Sequence, residues 1–149
     1  MLLARFQNWL QYEKRSPQTT VNAYITDTGQ FLNYLESAYD GILPIAANSS
    51  IIKSWLASLV EQGVQKTSIN RKLSSIKAYY NFLKQQGKAD QNPAINVEAP
   101  KPPKRLVKFI DEDEAVALLD QVDFGDDRKG KRDQLILEIL YGTGIRLSE

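Results

Sequence analysis

Apolar side chains recur along this chain at intervals of three and four residues, and that period predicts a succession of helices. Leu2, Leu3, Phe6, Trp9 and Leu10 form the first stripe, predicting a helix of about three turns that ends near Glu13. Ser16-Pro17 reads as the next start, with serine as N-cap and proline at the first helical position. From there Val21, Tyr24, Ile25, Thr28, Phe31, Leu32 and Leu35 trace one apolar face to about Ser37. The opposite face, with Thr19, Asn22, Ala23, Thr26 and Gln30, is short-chained and nearly uncharged. It suits either a phosphate backbone or plain solvent. Asp40-Gly41 and Pro44 mark a loop, and Asn48-Ser49-Ser50 caps a third helix whose Ile51, Ile52, Trp55, Leu56, Leu59 and Val60 face the core. Gly63 ends it.

The fourth helix, Ser68 to about Gln86, opens after Lys66-Thr67 and closes at Gly87. Ile69, Leu73, Ile76, Tyr80 and Leu83 give it a continuous buried seam. Tyr79 and Phe82 widen that surface in its C-terminal half. Ser68, Asn70, Arg71, Lys72, Ser74, Ser75 and Lys77 surround the seam in the N-terminal half. One end is thus anchored in the core while the other projects small polar and basic groups. A helix entering a DNA major groove needs that arrangement, although a plain amphipathic helix has it too.

Beyond Gly87 the pattern changes. The stretch 88–108 carries Pro100-Lys101-Pro102-Pro103, then Lys104, Arg105 and Lys108, and reads as a stiff basic linker or a neutral spacer. Asp111 with Glu114 forms a capping box for a helix through Ala115, Leu118 and Leu119. Leu135, Ile136, Ile139 and Leu140 then predict a buried helix over Leu135–Tyr141, stopped by a left-handed Gly142 and a Thr143-Gly144 turn. Ile145-Arg146-Leu147-Ser148-Glu149 looks like the first turn of another. Arg146 follows a glycine hinge near a helix N-terminus, where a cation is disfavoured unless an anion joins it. Such a place is either a phosphate site or an ordinary surface position.

Composition narrows the chemistry. The 149 residues, 42% of them hydrophobic, have no apolar run near the length of a membrane span and no secretory h-region. A cytoplasmic location is expected. Absent cysteine and histidine remove thiolate metal sites, disulfides and the commonest general base, so neither metal nor cofactor is expected. The net charge of +1 conceals a division. Residues 1–108 hold fourteen Lys/Arg against seven Asp/Glu, and residues 109–149 hold five against eleven. The first part has the balance of a polyanion-binding surface, unless the segregation is chance.

Tyr141-Gly142-Thr143-Gly144-Ile145-Arg146-Leu147-Ser148-Glu149 resembles the first catalytic-arginine box of the tyrosine recombinases, the phage integrase and Xer type. Ser16-Pro17-Gln18-Thr19-Thr20, with Tyr24, Asp27 and Phe31, is similar to the start of that family's core-binding domain. Thr67 to Lys77 with Tyr80 resembles its later DNA-facing helix, and Asn92-Pro93 its exit. The resemblance implies an all-α chain: a four-helix SAM-like core-binding domain over 1–87, a linker over 88–108, and over 109–149 the truncated helical start of a catalytic domain. It implies DNA cleavage and rejoining through a 3′-phosphotyrosyl link, with Arg146 catalytic and Glu149 supporting. The expected DNA-binding residues are Thr19, Thr20, Lys66, Thr67, Ser68, Asn70, Arg71, Ser74, Ser75, Lys77, Lys101, Lys104 and Arg105. Double-stranded DNA is the expected partner, with a homo- or hetero-tetramer on DNA for the full-length protein. The family's later lysine, second arginine box and nucleophile have no counterpart here, so the fragment is expected to be inactive. Two other functions remain: a helical DNA-binding module without chemistry, and a helical protein-interaction bundle. The first lacks a helix-turn-helix pair, and neither explains the arginine box.

Overall fold

A computed structural model describes residues 2–101, 117 and 121–146. These residues are helical or irregular, with no strand among them. The chain divides into two compact units, Met1–Pro103 and Lys104–Glu149.

In the first unit α1 spans Leu2–Asn8 and runs on into one π-helical turn, Trp9–Glu13. The wider turn keeps Trp9 and Leu10 buried beside Phe6. Ser16 donates its backbone N–H to Leu10 O at 3.0 Å, which turns the chain toward α2, Gln18–Ala38. Ser16 is therefore not the N-cap: Pro17 holds that position in an extended conformation, and no side chain caps the helix. A single 3-10 turn, Pro44–Ala46, precedes α3, Ser49–Glu61, and there Asn48 caps as expected, accepting from Ile51 N at 3.1 Å. Val60, expected in the core, is 48% exposed; it lies at the edge of the α3 stripe, and Leu56 and Leu59 take the buried positions.

α4, Lys66–Gln85, crosses the centre of the unit and contributes Ile69, Leu73, Ile76, Tyr79, Tyr80, Phe82 and Leu83 to the core. Its two adjacent tyrosines serve different halves. Tyr79 meets Phe6 edge-on with centroids 5.2 Å apart, whereas the Tyr80 ring faces Phe31 at 6.5 Å and its hydroxyl donates to Pro44 O at 2.8 Å. Phe31 packs on Trp55 at 5.1 Å and so ties in α3. The chain after α4 folds back onto it. Asn92 donates Nδ2 to Lys77 O at 3.0 Å and to Asn81 Oδ1 at 2.8 Å, and its own Oδ1 accepts from Ala94 N at 2.9 Å. Those bonds bring Ala94 and Val97, both inside the stretch expected as linker, into the core.

In the second unit α5 spans Arg128–Thr143, capped by Asp127, whose carboxylate accepts from Gly130 N at 2.7 Å. A Cβ at Gly130 would stand 1.7 Å from Phe124 O, so only glycine allows the loop to close on this first turn. The helix continues through Gly142 and stops at Gly144, which takes the left-handed conformation (φ +63°) and donates to Leu140 O at 3.0 Å. The stop is thus two residues later than expected. Its apolar stripe is open: Leu135, Ile136, Ile139 and Tyr141 are exposed, so the expected burial of this helix is not observed. Periodicity selects the side a helix can bury but does not supply the covering surface. The Asp111–Glu114 capping box lies outside the described residues, as do Leu147–Glu149 of the helix expected after Gly144; Ile145 and Arg146 themselves are not helical.

Candidate nucleic-acid interface

The exposed part of α4 begins with its first turn. Lys66 and Thr67 are exposed, Ser68 and Asn70 half-buried, Arg71 and Ser74 exposed and Lys77 half-buried. The packing of α4 explains this sequence of environments. Its C-terminal half is buried along most of its length, whereas its N-terminal half buries Ile69, Lys72 and Leu73 and leaves the side chains between them toward solvent. Asp27 of α2 meets Arg71, and Phe31, one turn further, meets Tyr80. Thr19 (exposed) and Thr20 (half-buried) lie in the first turn of α2.

Two residues assigned to the polar face are inside. Ser75 is fully buried and donates its hydroxyl to Lys72 O at 2.7 Å, which removes it from any interface. Lys72 is 6% exposed. Its Nζ lies 2.9 Å from Asp27 Oδ1 and also donates to Gln30 Oε1. Asp27 is itself fully buried, and the same Oδ1 accepts from Arg71 Nη2 at 3.2 Å. Arg71 keeps 48% of its side chain in solvent. One buried carboxylate thus serves two cations, one inside and one at the surface. The sequence carried a sign of this: Asp27 falls between Tyr24 and Phe31 on the apolar side of α2, and a buried acid requires a cation or protonation.

Beside this face, a polar cleft of ≈ 450 Å³ separates Asn70, Ser74 and Lys77 from Val97, Glu98 and Lys101. Asn70 Nδ2 donates to Pro100 O at 3.4 Å and bridges its upper edge. Ser74 Oγ donates to Asn70 O at 2.9 Å, so its hydroxyl is engaged by its own helix. The Asn92 clasp puts Lys101 beside α4, a position that sequence alone did not give. Lys104 and Arg105 lie outside the described residues, as does Glu149. Arg146 is exposed, two residues beyond the left-handed Gly144.

Burial also sorts the tyrosines. Loss of hydration raises the hydroxyl pKa of Tyr79 above its ordinary value and raises that of Tyr80 further, with the Tyr79 charge adding a smaller push. Both are about 1% exposed, so neither hydroxyl can reach a phosphate. No group of metal-ligating side chains occurs among the described residues, and no described helix is long and apolar enough to cross a membrane.

Residues 3–87 match the family model of the phage integrase N-terminal SAM-like domain, and the chain belongs to that family. A Caldanaerobacter subterraneus subsp. tengcongensis protein, assigned by name to the tyrosine recombinases, is 34% identical over 148 residues, covering 99% of this chain and 50% of the relative. The tyrosine recombinase XerC of Oceanobacillus iheyensis is 36% identical over 145 residues, 97% of this chain and 47% of its own length. XerC of Staphylococcus epidermidis is 33% identical over 144 residues, with 97% and 48% covered. The chain spans about half the length of the curated relatives it matches.

Proposed function

We propose that this chain is the DNA-binding part of a site-specific tyrosine recombinase of the cytoplasm, acting as an oligomer on duplex DNA. The division of α4 carries the proposal: a C-terminal half locked into the core and an N-terminal half that exposes Lys66, Thr67, Arg71 and Ser74. Arginine and asparagine there reach base edges, while lysine and hydroxyl groups meet phosphates. Thr19, Thr20, Lys77 and Lys101 extend the phosphate-facing surface, and Lys104 and Arg105 continue it along the chain. Ser75 is excluded by its burial.

In this scheme residues 1–87 form the DNA-binding domain, 88–108 connect it, and 109–149 open the catalytic domain. Arg146 donates its guanidinium to a non-bridging oxygen of the scissile phosphate, where charge builds during attack. Glu149 supports it. No tyrosine of these 149 residues is assigned as the nucleophile, and the role proposed for them is DNA binding.

Anisotropy titration of the chain against a randomised duplex pool tests the binding. Micromolar or tighter binding that weakens steeply with salt is expected. Absence of duplex binding at low salt would remove DNA from the function and leave a helical protein-interaction domain.

A further inference from the structure

Asp27 has no access to solvent, so no nucleic acid can touch it. Its Oδ1 nevertheless contacts Arg71, an exposed cation of the N-terminal half of α4, and its Oδ2 has no hydrogen-bond partner among the described residues. The pairing of this carboxylate therefore runs through one oxygen, shared between Lys72 and Arg71. Lys72, with 8% of its side chain exposed, is too enclosed to contact a duplex, and Gln30 holds its other side. A free arginine on a helix surface samples many rotamers, and ordering it on a base edge costs binding energy. Arg71 uses one of five N–H donors on Asp27, and the remaining donors stay available in a restricted geometry.

We infer that Asp27, fixed by buried Lys72, is a positioning residue that sets the Arg71 guanidinium for base discrimination. The inference rests on α4 facing the duplex. It makes sequence preference depend on a side chain behind the interface. Simple electrostatics demands otherwise, since removing a carboxylate near DNA should strengthen binding to every duplex alike.

The double variant Asp27→Asn/Lys72→Met separates these effects. It removes one negative and one positive charge, so the net charge and the attraction to phosphate are conserved, and it leaves no unpaired ion in the core. The probes are the tightest duplex recovered from a randomised library by the wild-type chain and a scrambled duplex of the same composition. The ratio of the two affinities is expected to fall about tenfold in the double variant, with scrambled-duplex affinity and its salt slope unchanged. Arg71→Ala should lose the same ratio, and combining all three changes should lose no more. In the free wild-type chain, the Arg71 Nη–H resonances should show restricted guanidinium rotation, a readout that needs no variant.

A folded double variant that discriminates like wild type would overturn the inference, as would an Arg71 signal averaged by free rotation. Full discrimination by Arg71→Ala would overturn it too. A wild-type chain that binds all duplexes equally also overturns it, while duplex binding itself stands. A wild-type chain that binds no duplex fails one step earlier, at the DNA-binding surface.

Discussion

Lys72 Nζ sits 2.9 Å from Asp27 Oδ1, with both side chains almost wholly removed from water. The pair joins the N-terminal half of α4 to the middle of α2. Each ion is costly to bury, and each makes the other tolerable. Removing one partner leaves an uncompensated charge, so Asp27→Ala or Lys72→Ala should cost about 3–5 kcal/mol in urea unfolding. Exchanging both for isosteric neutral residues should be close to neutral. Equal destabilisation by the single and double changes would mean that packing, not charge, dominates this contact.

Arg71 shares that carboxylate from the outside. With 48% of its side chain exposed, it contributes little to stability, and Arg71→Ala should change the unfolding free energy by less than about 1 kcal/mol. Duplex affinity should fall and sequence preference relax, with the slope of log K against log salt unchanged, as for a base-edge contact. A slope flattened by about 0.9 with preference intact would instead assign Arg71 to a phosphate.

The contrast between these neighbours shows how far the sequence could be read. Helical period placed Ile69, Leu73, Ile76, Tyr80 and Leu83 inside correctly, because apolar side chains have one favourable destination. Polar residues have two, solvent or a partner, and the partner sits 45 residues from Lys72. The period alone therefore puts Lys72 on the surface, and it misplaces Ser75 too, whose hydroxyl is satisfied by Lys72 O three residues back in the same helix. The folding-back of 92–97 was hidden for a similar reason: it depends on one asparagine bridging Lys77 O and Asn81, not on any period. Arg146 is different again. A residue pattern singled it out, while its proposed ligand is a DNA phosphate that helical periodicity cannot reveal.

The adjacent tyrosines predict an alkaline limit. In the unfolded chain both ionise near their ordinary value of 10.0, whereas burial raises both in the folded chain. Above that pH the native state binds more protons than the unfolded state, so stability falls as pH rises. Melting temperature should be level up to about pH 9 and drop beyond it. Tyr80→Phe should blunt the drop, although it also leaves Pro44 O without its 2.8 Å donor. A flat profile to pH 11 would mean that the tyrosines are more hydrated than this packing implies.

Gly130 gives a test of the second unit. A Cβ added there would stand 1.7 Å from Phe124 O, which leaves no room for alanine. Although alanine favours helices, Gly130→Ala should loosen the Asp127 cap and cost about 1–3 kcal/mol locally. Amide exchange at the first turn of α5 should accelerate while α4 is unaffected. Stronger protection there would show that the loop can yield.

Arg146 separates binding from chemistry. If its guanidinium serves the scissile phosphate, its contribution develops as the phosphoryl group gains charge, not when the duplex first binds. In the proposed scheme Lys66, Arg71, Lys77 and Lys101 supply attachment in the first unit, so Arg146→Ala in this chain should lower duplex affinity far less than Arg71→Ala. In a polypeptide continuing through the nucleophilic tyrosine, both Arg146→Ala and Arg146→Lys should bind a nicked suicide duplex yet fail to accumulate the covalent adduct. The rate should drop by about 10²–10³ or more. Lysine should not rescue, because an ammonium cannot reproduce the two parallel donors of a guanidinium. Adduct formation is scored on a denaturing gel after equal loading of bound complex, which removes any difference in affinity. Adduct at the wild-type rate from Arg146→Ala would place Arg146 outside the reaction and confine the proposed DNA role to the first unit.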